Sequence, residues 1–122
     1  MHILVVDDVE DSREVIAAML EMLGHSVSEA GGGKEAIHCV MKETPELILM
    51  DLSMPDVDGL LTTRALRQIE FSSRIPVIAV TAYPESVSLK QALAAGCDGY
   101  LRKPVTPEDL SDVLNRFDRS HH

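Results

Sequence analysis

The chain has 122 residues, 45% of them hydrophobic, and a formal charge of −9 at pH 7. That is the size and make-up of one globular domain, too short for a catalytic domain plus a regulatory one. The acidic balance disfavours binding to nucleic acid or to anionic membrane surfaces, no run approaches the roughly 20 apolar residues that cross a bilayer, and no leader pattern opens the chain, so the expected location is cytoplasmic.

In chain order, Ile3-Val6 is a short apolar run stopped at once by Asp7 and Asp8, which predicts a strand buried on both faces. Val15, Ile16, Met19, Leu20 and Leu23 then fall at helical spacing, and Gly24 stands where a helix C-cap is wanted. Ser26-Ala30 is more polar and reads as a strand near a sheet edge. A second helix carries Ala36, Ile37, Val40 and Met41 on one face, with its methionine expected as core filler. Leu47-Met50 and Pro76-Val80 repeat the apolar strand pattern, separated by a helix with Leu61, Ala65, Leu66 and Ile69 inward. Val87 to Ala95 is a fourth, less amphipathic helix, ended by Gly96. Gly99-Leu101 is a weak edge strand. The last helix shows Leu110, Val113, Leu114 and Phe117 at i, i+3, i+4, i+7, after a capping Thr106, Pro107 at the first helical position and an acid in the first turn. Cys39 and Cys97 lack metal-ligand spacing and read as buried or half-buried thiols. The closing Ser120-His121-His122 resembles the stub of a purification tag and stands outside the functional argument, leaving residues 1–119 as the domain.

Five strands alternating with five helices give an α/β fold with a mainly parallel sheet and right-handed crossovers. In such sheets the site lies beyond the carboxyl ends of the strands. Asp7 and Asp8 follow the first strand, Asp51 the third, Thr81 the fourth and Lys103 the fifth, so all five project onto one rim. Singly, each could be an ordinary loop acid, cap or surface lysine. Together, three carboxylates, a hydroxyl and an ammonium at successive strand ends point to chemistry. Crowded carboxylates either take up a proton or bind a cation, and an all-oxygen donor set suits Mg²⁺, which commonly shares its coordination sphere with a phosphate oxygen. Phosphoryl transfer asks mainly for positioning and charge neutralisation. Asp51 is then the candidate nucleophile, able to form an acyl phosphate. Asp7 and Asp8 are left as metal ligands, Lys103 as a neutralising cation and Thr81 as a hydrogen-bond donor.

Val5-Val6-Asp7-Asp8, Met50-Asp51-Leu52-Ser53-Met54-Pro55-Asp56-Val57-Asp58-Gly59, Val80-Thr81-Ala82 and Tyr100-Leu101-Arg102-Lys103-Pro104 resemble, in order and spacing, the receiver domains of two-component response regulators. The likeness runs from Ile3 to about Phe117. It implies a flavodoxin-like three-layer (βα)5 fold with a five-stranded parallel sheet in the order 2-1-3-4-5. By position it makes Asp51 the phosphoacceptor, Asp8 a direct Mg²⁺ ligand and Asp7 a second acid acting largely through water. The backbone carbonyl of Ser53 becomes a further metal ligand, and Mn²⁺ an expected substitute for Mg²⁺. It puts Thr81 and Lys103 on the phosphoryl group, and makes Thr81 and Tyr100 a switch that remodels the face of the fourth helix, fifth strand and fifth helix. It also suggests a cis Lys103-Pro104 bond. Gly31-Gly32-Gly33 replaces a commoner Asn-Gly, and Ser12 stands where Asn is frequent, both expected to lie apart from the chemistry. Ser53 and Tyr83 occupy positions that in this family influence the lifetime of the phosphate.

The resemblance implies a signalling domain that catalyses only its own phosphorylation and dephosphorylation. Its expected partners are a histidine kinase or histidine phosphotransfer protein upstream and an effector or output domain downstream, with no nucleic acid or membrane bound by this chain. It is expected to be a monomer before phosphorylation, with a dimer on activation left open. Two rivals stand beside it. A haloacid-dehalogenase-type phosphatase needs a second Asp two residues after the nucleophile, where this chain has Ser53. A phosphorylation-independent interaction module does not need the complete set of acids, Thr81 and Lys103. The sequence does not decide between a stand-alone regulator and a segment of a hybrid kinase or longer regulator.

Overall fold

The computed structural model describes residues 1–52, 59–69, 74–83 and 85–118. Its elements run β1 (His2–Val6), α1 (Glu10–Met22), β2 (Ser26–Ala30), α2 (Gly33–Lys42), β3 (Leu47–Asp51), α3 (Gly59–Gln68), β4 (Val77–Thr81), α4 (Glu85–Ala95), β5 (Gly99–Arg102) and α5 (Pro107–Phe117). All neighbouring strands pair in parallel, in the order β2-β1-β3-β4-β5. The expected five-stranded, three-layer α/β fold is therefore the one observed, with the two polar or weak strands at the edges.

Successive strand residues point to opposite faces, and the core divides accordingly. Leu4, Val6, Ile48, Met50, Val77 and Ala79 pack with Ala36, Val40, Leu66 and Ala92 of α2, α3 and α4. Ile3, Val5, Leu47, Leu49, Ile78 and Val80 pack with Ile16, Leu20, Leu110, Val113 and Leu114 of α1 and α5. The central strands are covered on both sides, which is why they read as unbroken apolar runs rather than alternating ones.

Local chemistry closes the elements where the sequence predicts. Gly24 and Gly96 take positive φ of 94° and 108° just past α1 and α4, the left-handed turn that favours glycine. Thr106 caps α5 by accepting from the Asp109 N–H at 3.1 Å, while the Asp109 carboxylate accepts from the Thr106 N–H at 3.1 Å. The Lys103-Pro104 bond is cis. Cys97 is buried and Cys39 half-buried, both as free thiols.

Among the described residues, helix faces differ from expectation at four positions. Val15 (54% exposed), Leu23, Met41 and Leu61 turn to solvent. α1 seats Ile16, Ala17 and Leu20, one position round from Val15. α3 buries Gly59, Thr62, Thr63 and Leu66. Thr63 tolerates burial because its hydroxyl donates to the Gly59 carbonyl at 2.8 Å, leaving its methyl for the core. Arg67 ties α3 to the rest of that layer. It donates to the Ile75 carbonyl at 2.7 Å, to the Gly96 carbonyl at 2.8 and 3.1 Å, and to Asp98 Oδ2 at 2.8 Å. The same Asp98 oxygen accepts the Val77 N–H at 2.9 Å.

Candidate functional site

The strand order reverses at β1, whose neighbours β2 and β3 lead away in opposite directions. Crossovers diverge there and leave a crevice at the carboxyl ends of the strands. Asp7 and Asp8 enter it directly after β1. Asp51 and Thr81 are the last residues of β3 and β4 rather than the first of the following loops, so sheet pairing fixes their backbones. The Lys103 N–H extends that pairing by donating to the Thr81 carbonyl at 2.9 Å.

Asp7 is 1% exposed and held at every polar group. Its N–H donates to the Ala30 carbonyl at 3.1 Å, and its carbonyl accepts from Arg13 Nη1 at 2.9 Å. One carboxylate oxygen accepts the Val9 N–H at 2.9 Å and the other accepts from Lys103 Nζ at 2.9 Å. Burial alone would raise its pKa, but the Val9 N–H, the Lys103 ammonium and a Ser12 hydrogen bond together hold it below the ordinary 3.8. Ser12, expected to lie apart from the chemistry, thus supports the first acid of the site. Asp8 is exposed beside it.

Asp51 is 2% exposed, with its Oδ2 3.6 Å from Lys103 Nζ. Burial acts to lower the lysine's pKa, but its hydrogen bond to Asp7 and the charges of Asp51 and Asp7 outweigh that and hold it above the ordinary 10.5. One carboxylate oxygen from each of Asp7, Asp8 and Asp51 lies within 4.8 Å of the others. Two of these acids are buried and the third faces solvent, leaving an open side. Three hard oxygen donors this close, with one ammonium shared between two of them, fit a divalent cation that keeps part of its water shell.

The Thr81 hydroxyl is fully buried and accepts the Tyr83 N–H at 3.1 Å, which leaves its own proton to be directed elsewhere. Tyr100 is half-buried, and its hydroxyl donates to the Tyr83 carbonyl at 2.7 Å. The two residues expected to form a switch therefore hold the N–H and the carbonyl of one intervening residue. The structure thus brings together Asp7, Asp8, Asp51 and Lys103, with Thr81 at the adjoining strand end, while Ser53 lies outside the described residues. Sequence reasoning missed Arg13, although a basic side chain near the N-terminal end of a helix, where the dipole favours acids, hints at a dedicated partner.

Among the described residues, no helix is long and apolar enough to cross a membrane. The sequence is 37% identical over 117 residues to an uncharacterized 14.6 kDa protein from Leptolyngbya boryana, covering 96% of this chain and 89% of that one. It is 38% identical over 108 residues to the phosphate regulon transcriptional regulatory protein PhoB of Pseudomonas aeruginosa. That alignment covers 88% of this chain but only 47% of PhoB. The chain thus spans less than half the length of several of the relatives it matches. Among solved structures it resembles the receiver domain of the Pseudomonas aeruginosa sensor histidine kinase PA1611, which has a magnesium ion coordinated in its active-site cleft. The TM-score there is 0.88 at 35% identity, covering 95% of each chain. The response regulator receiver domain family itself matches residues 3–115, nearly the whole sheet and its helices, and with the acid crevice at the strand ends this establishes that the chain belongs to that family.

Proposed function

We propose that this receiver domain, residues 1–119, accepts a phosphoryl group on Asp51 from the phosphohistidine of a histidine kinase or histidine phosphotransfer protein. A carboxylate oxygen of Asp51 attacks phosphorus, the P–N bond to the donor imidazole breaks, and the imidazole nitrogen takes up a proton. Water later returns the carboxylate and releases phosphate. The observation that carries this reading is the convergence of Asp7, Asp8 and Asp51 oxygens within 4.8 Å, with Lys103 Nζ 2.9 Å from Asp7 and 3.6 Å from Asp51.

Asp7, Asp8 and Asp51, with the Ser53 carbonyl, would hold Mg²⁺, or Mn²⁺ in its place; when bound, the ion neutralises charge on the phosphoryl oxygens. Lys103 is placed to carry the remaining countercharge and the Thr81 hydroxyl to donate a hydrogen bond. Drawing that hydroxyl toward a phosphoryl group would break its bond with the Tyr83 N–H and loosen the carbonyl that holds Tyr100. This is how a new charge at Asp51 would reach the α4-β5-α5 face and the effector or output domain behind it. The reading places the chain in the cytoplasm, as a monomer before phosphorylation.

Intact mass after incubation with acetyl phosphate and Mg²⁺, beside Asp51→Asn and a metal-free control, tests the proposal. A single Mg²⁺-dependent adduct, absent from a folded Asp51→Asn protein, is the expected result. An adduct of full stoichiometry in the mutant would overturn the assignment of Asp51. A folded wild-type protein that takes no label from either acetyl phosphate or phosphorylated kinases would favour a phosphorylation-independent interaction module.

A further inference from the structure

We propose that Arg13 is a positioning residue for the acid pair, setting the placement of Asp8 by clamping the Asp7–Asp8 peptide; this rests on the receiver reading above. Arg13 lies early in α1, where a cation gains nothing from the helix dipole. Its side chain nevertheless folds back across the β1–α1 turn. Nη1 donates to the Asp7 carbonyl at 2.9 Å, and Nε donates to Glu29 Oε1, on edge strand β2, at 3.1 Å. The arginine side chain is only 18% exposed, so the pair is not a fully solvated surface contact. A planar guanidinium with one edge fixed by Glu29 presents its remaining donors in a set direction, which a lysine ammonium cannot do.

The consequence follows from peptide planarity. The Asp7 carbonyl belongs to the same rigid unit as the Asp8 N–H, so fixing that oxygen fixes the plane on which Asp8 starts. Asp7 is also held through its N–H and both carboxylate oxygens. Asp8 is exposed and has no comparable set of bonds of its own among those described, so its aim is set by the peptides on either side, the following one held by the Val9 N–H on Asp7 Oδ1 at 2.9 Å and the preceding one by Arg13. Without the Arg13 bond that peptide can rock, and Asp8 loses the alignment that brings its oxygen within 4.8 Å of those of Asp7 and Asp51.

The test is direct binding of Mn²⁺, read by electron paramagnetic resonance, with Mg²⁺ as competitor. It is run on wild type, Arg13→Ala, Arg13→Lys, Glu29→Ala and Glu29→Gln, each checked for its thermal midpoint. Residues that orient metal ligands typically change affinity about 10- to 100-fold when removed, and Arg13→Ala is expected to weaken Mn²⁺ binding by at least the lower figure. Glu29→Ala should weaken it less, Glu29→Gln least because the amide oxygen still accepts from Nε, and Arg13→Lys should recover part of the loss. A lowered melting temperature with unchanged Mn²⁺ affinity across the Arg13 and Glu29 variants would make Arg13 a merely structural residue and overturn the proposal. If Arg13→Ala fails to fold, the Arg13→Lys and Glu29 variants decide by the same reading. Wild-type protein that binds no Mn²⁺ would instead overturn the receiver-site reading itself, and this inference with it.

Discussion

A methyl group added at position 59 would collide with the backbone carbonyl of Asp51 and crowd the Leu52 Cα at 3.2 Å. Because the obstacle is backbone at the end of a central strand, no side chain can turn aside to admit it. α3 therefore begins pressed against the proposed phosphoacceptor, and only glycine allows that approach. Gly59→Ala is expected to lower stability by about 1–3 kcal/mol, as overpacking does, and to slow labelling of Asp51 by acetyl phosphate. Urea unfolding and adduct formation measure the two effects. Unchanged values for both would show that the close approach is not needed. The glycine was legible in the sequence only as part of a motif. Its reason lies in a contact between segments eight residues apart that periodicity cannot reveal. Ser12 and Arg13 were hidden for a related cause, since the groups they hold are the carboxylate and carbonyl of Asp7, brought within reach only by the turn into α1. The acids and Thr81 were legible because each ends or follows a strand whose apolar run is unmistakable, whereas Lys103 follows the weak β5 and was legible from its place in the Tyr100-Leu101-Arg102-Lys103-Pro104 motif.

Whole elements were legible to the degree that their environment is uniform. β1, β3 and β4 are buried on both faces and announce themselves as apolar runs. α5 is bounded by side-chain chemistry that the sequence spells out, and the structure shows both reciprocal bonds of its capping box. Thr106→Ala should therefore destabilise the domain by about 1 kcal/mol, seen as a lower urea midpoint with an unchanged slope. A midpoint equal to wild type would mean that Pro107 and the packing of Leu110, Val113 and Leu114 fix the helix start without the cap. Helix faces were less legible. Val15 and Leu61 fit the apolar stripe by spacing but lie beyond its covered edge, whereas Thr62 and Thr63 sit inside it. Spacing gives the period of a stripe, not its width, and it gives no sign that a threonine hydroxyl will find a carbonyl one turn back.

For the molecule as a whole, strand order depends on pairing between distant segments. It followed from the family resemblance rather than from the residues, and the pairing β2-β1-β3-β4-β5 bears it out. The assembled fold also sets a pH range for stability. Burial holds the His25 imidazole below its ordinary 6.5, so as pH falls below 6.5 the unfolded chain binds a proton the folded chain resists, and stability drops. Asp7, held below 3.8, adds stability that is present above 3.8 and lost as pH falls through its folded value. On the alkaline side, burial raises the thiols of Cys97 and Cys39 above 9.0. Their contribution is complete below 9.0 and lost as pH rises toward their folded values, because the unfolded thiols ionise first. Lys103, held above 10.5 by Asp7 and Asp51, is lost in the same direction but only past 10.5. Stability measured by urea unfolding across pH should therefore be flat between about 6.5 and 9.0 and fall on either side. Between 9.0 and 10.5 the fall belongs to the thiols, of which Cys97, 5% exposed, is the one seated in the core. Cys97→Ala should start from a lower plateau, having lost a buried sulfur, yet fall less steeply than wild type through that interval. An alkaline slope between 9.0 and 10.5 as steep as that of wild type would place the sensitivity in the Cys39 thiol rather than in Cys97.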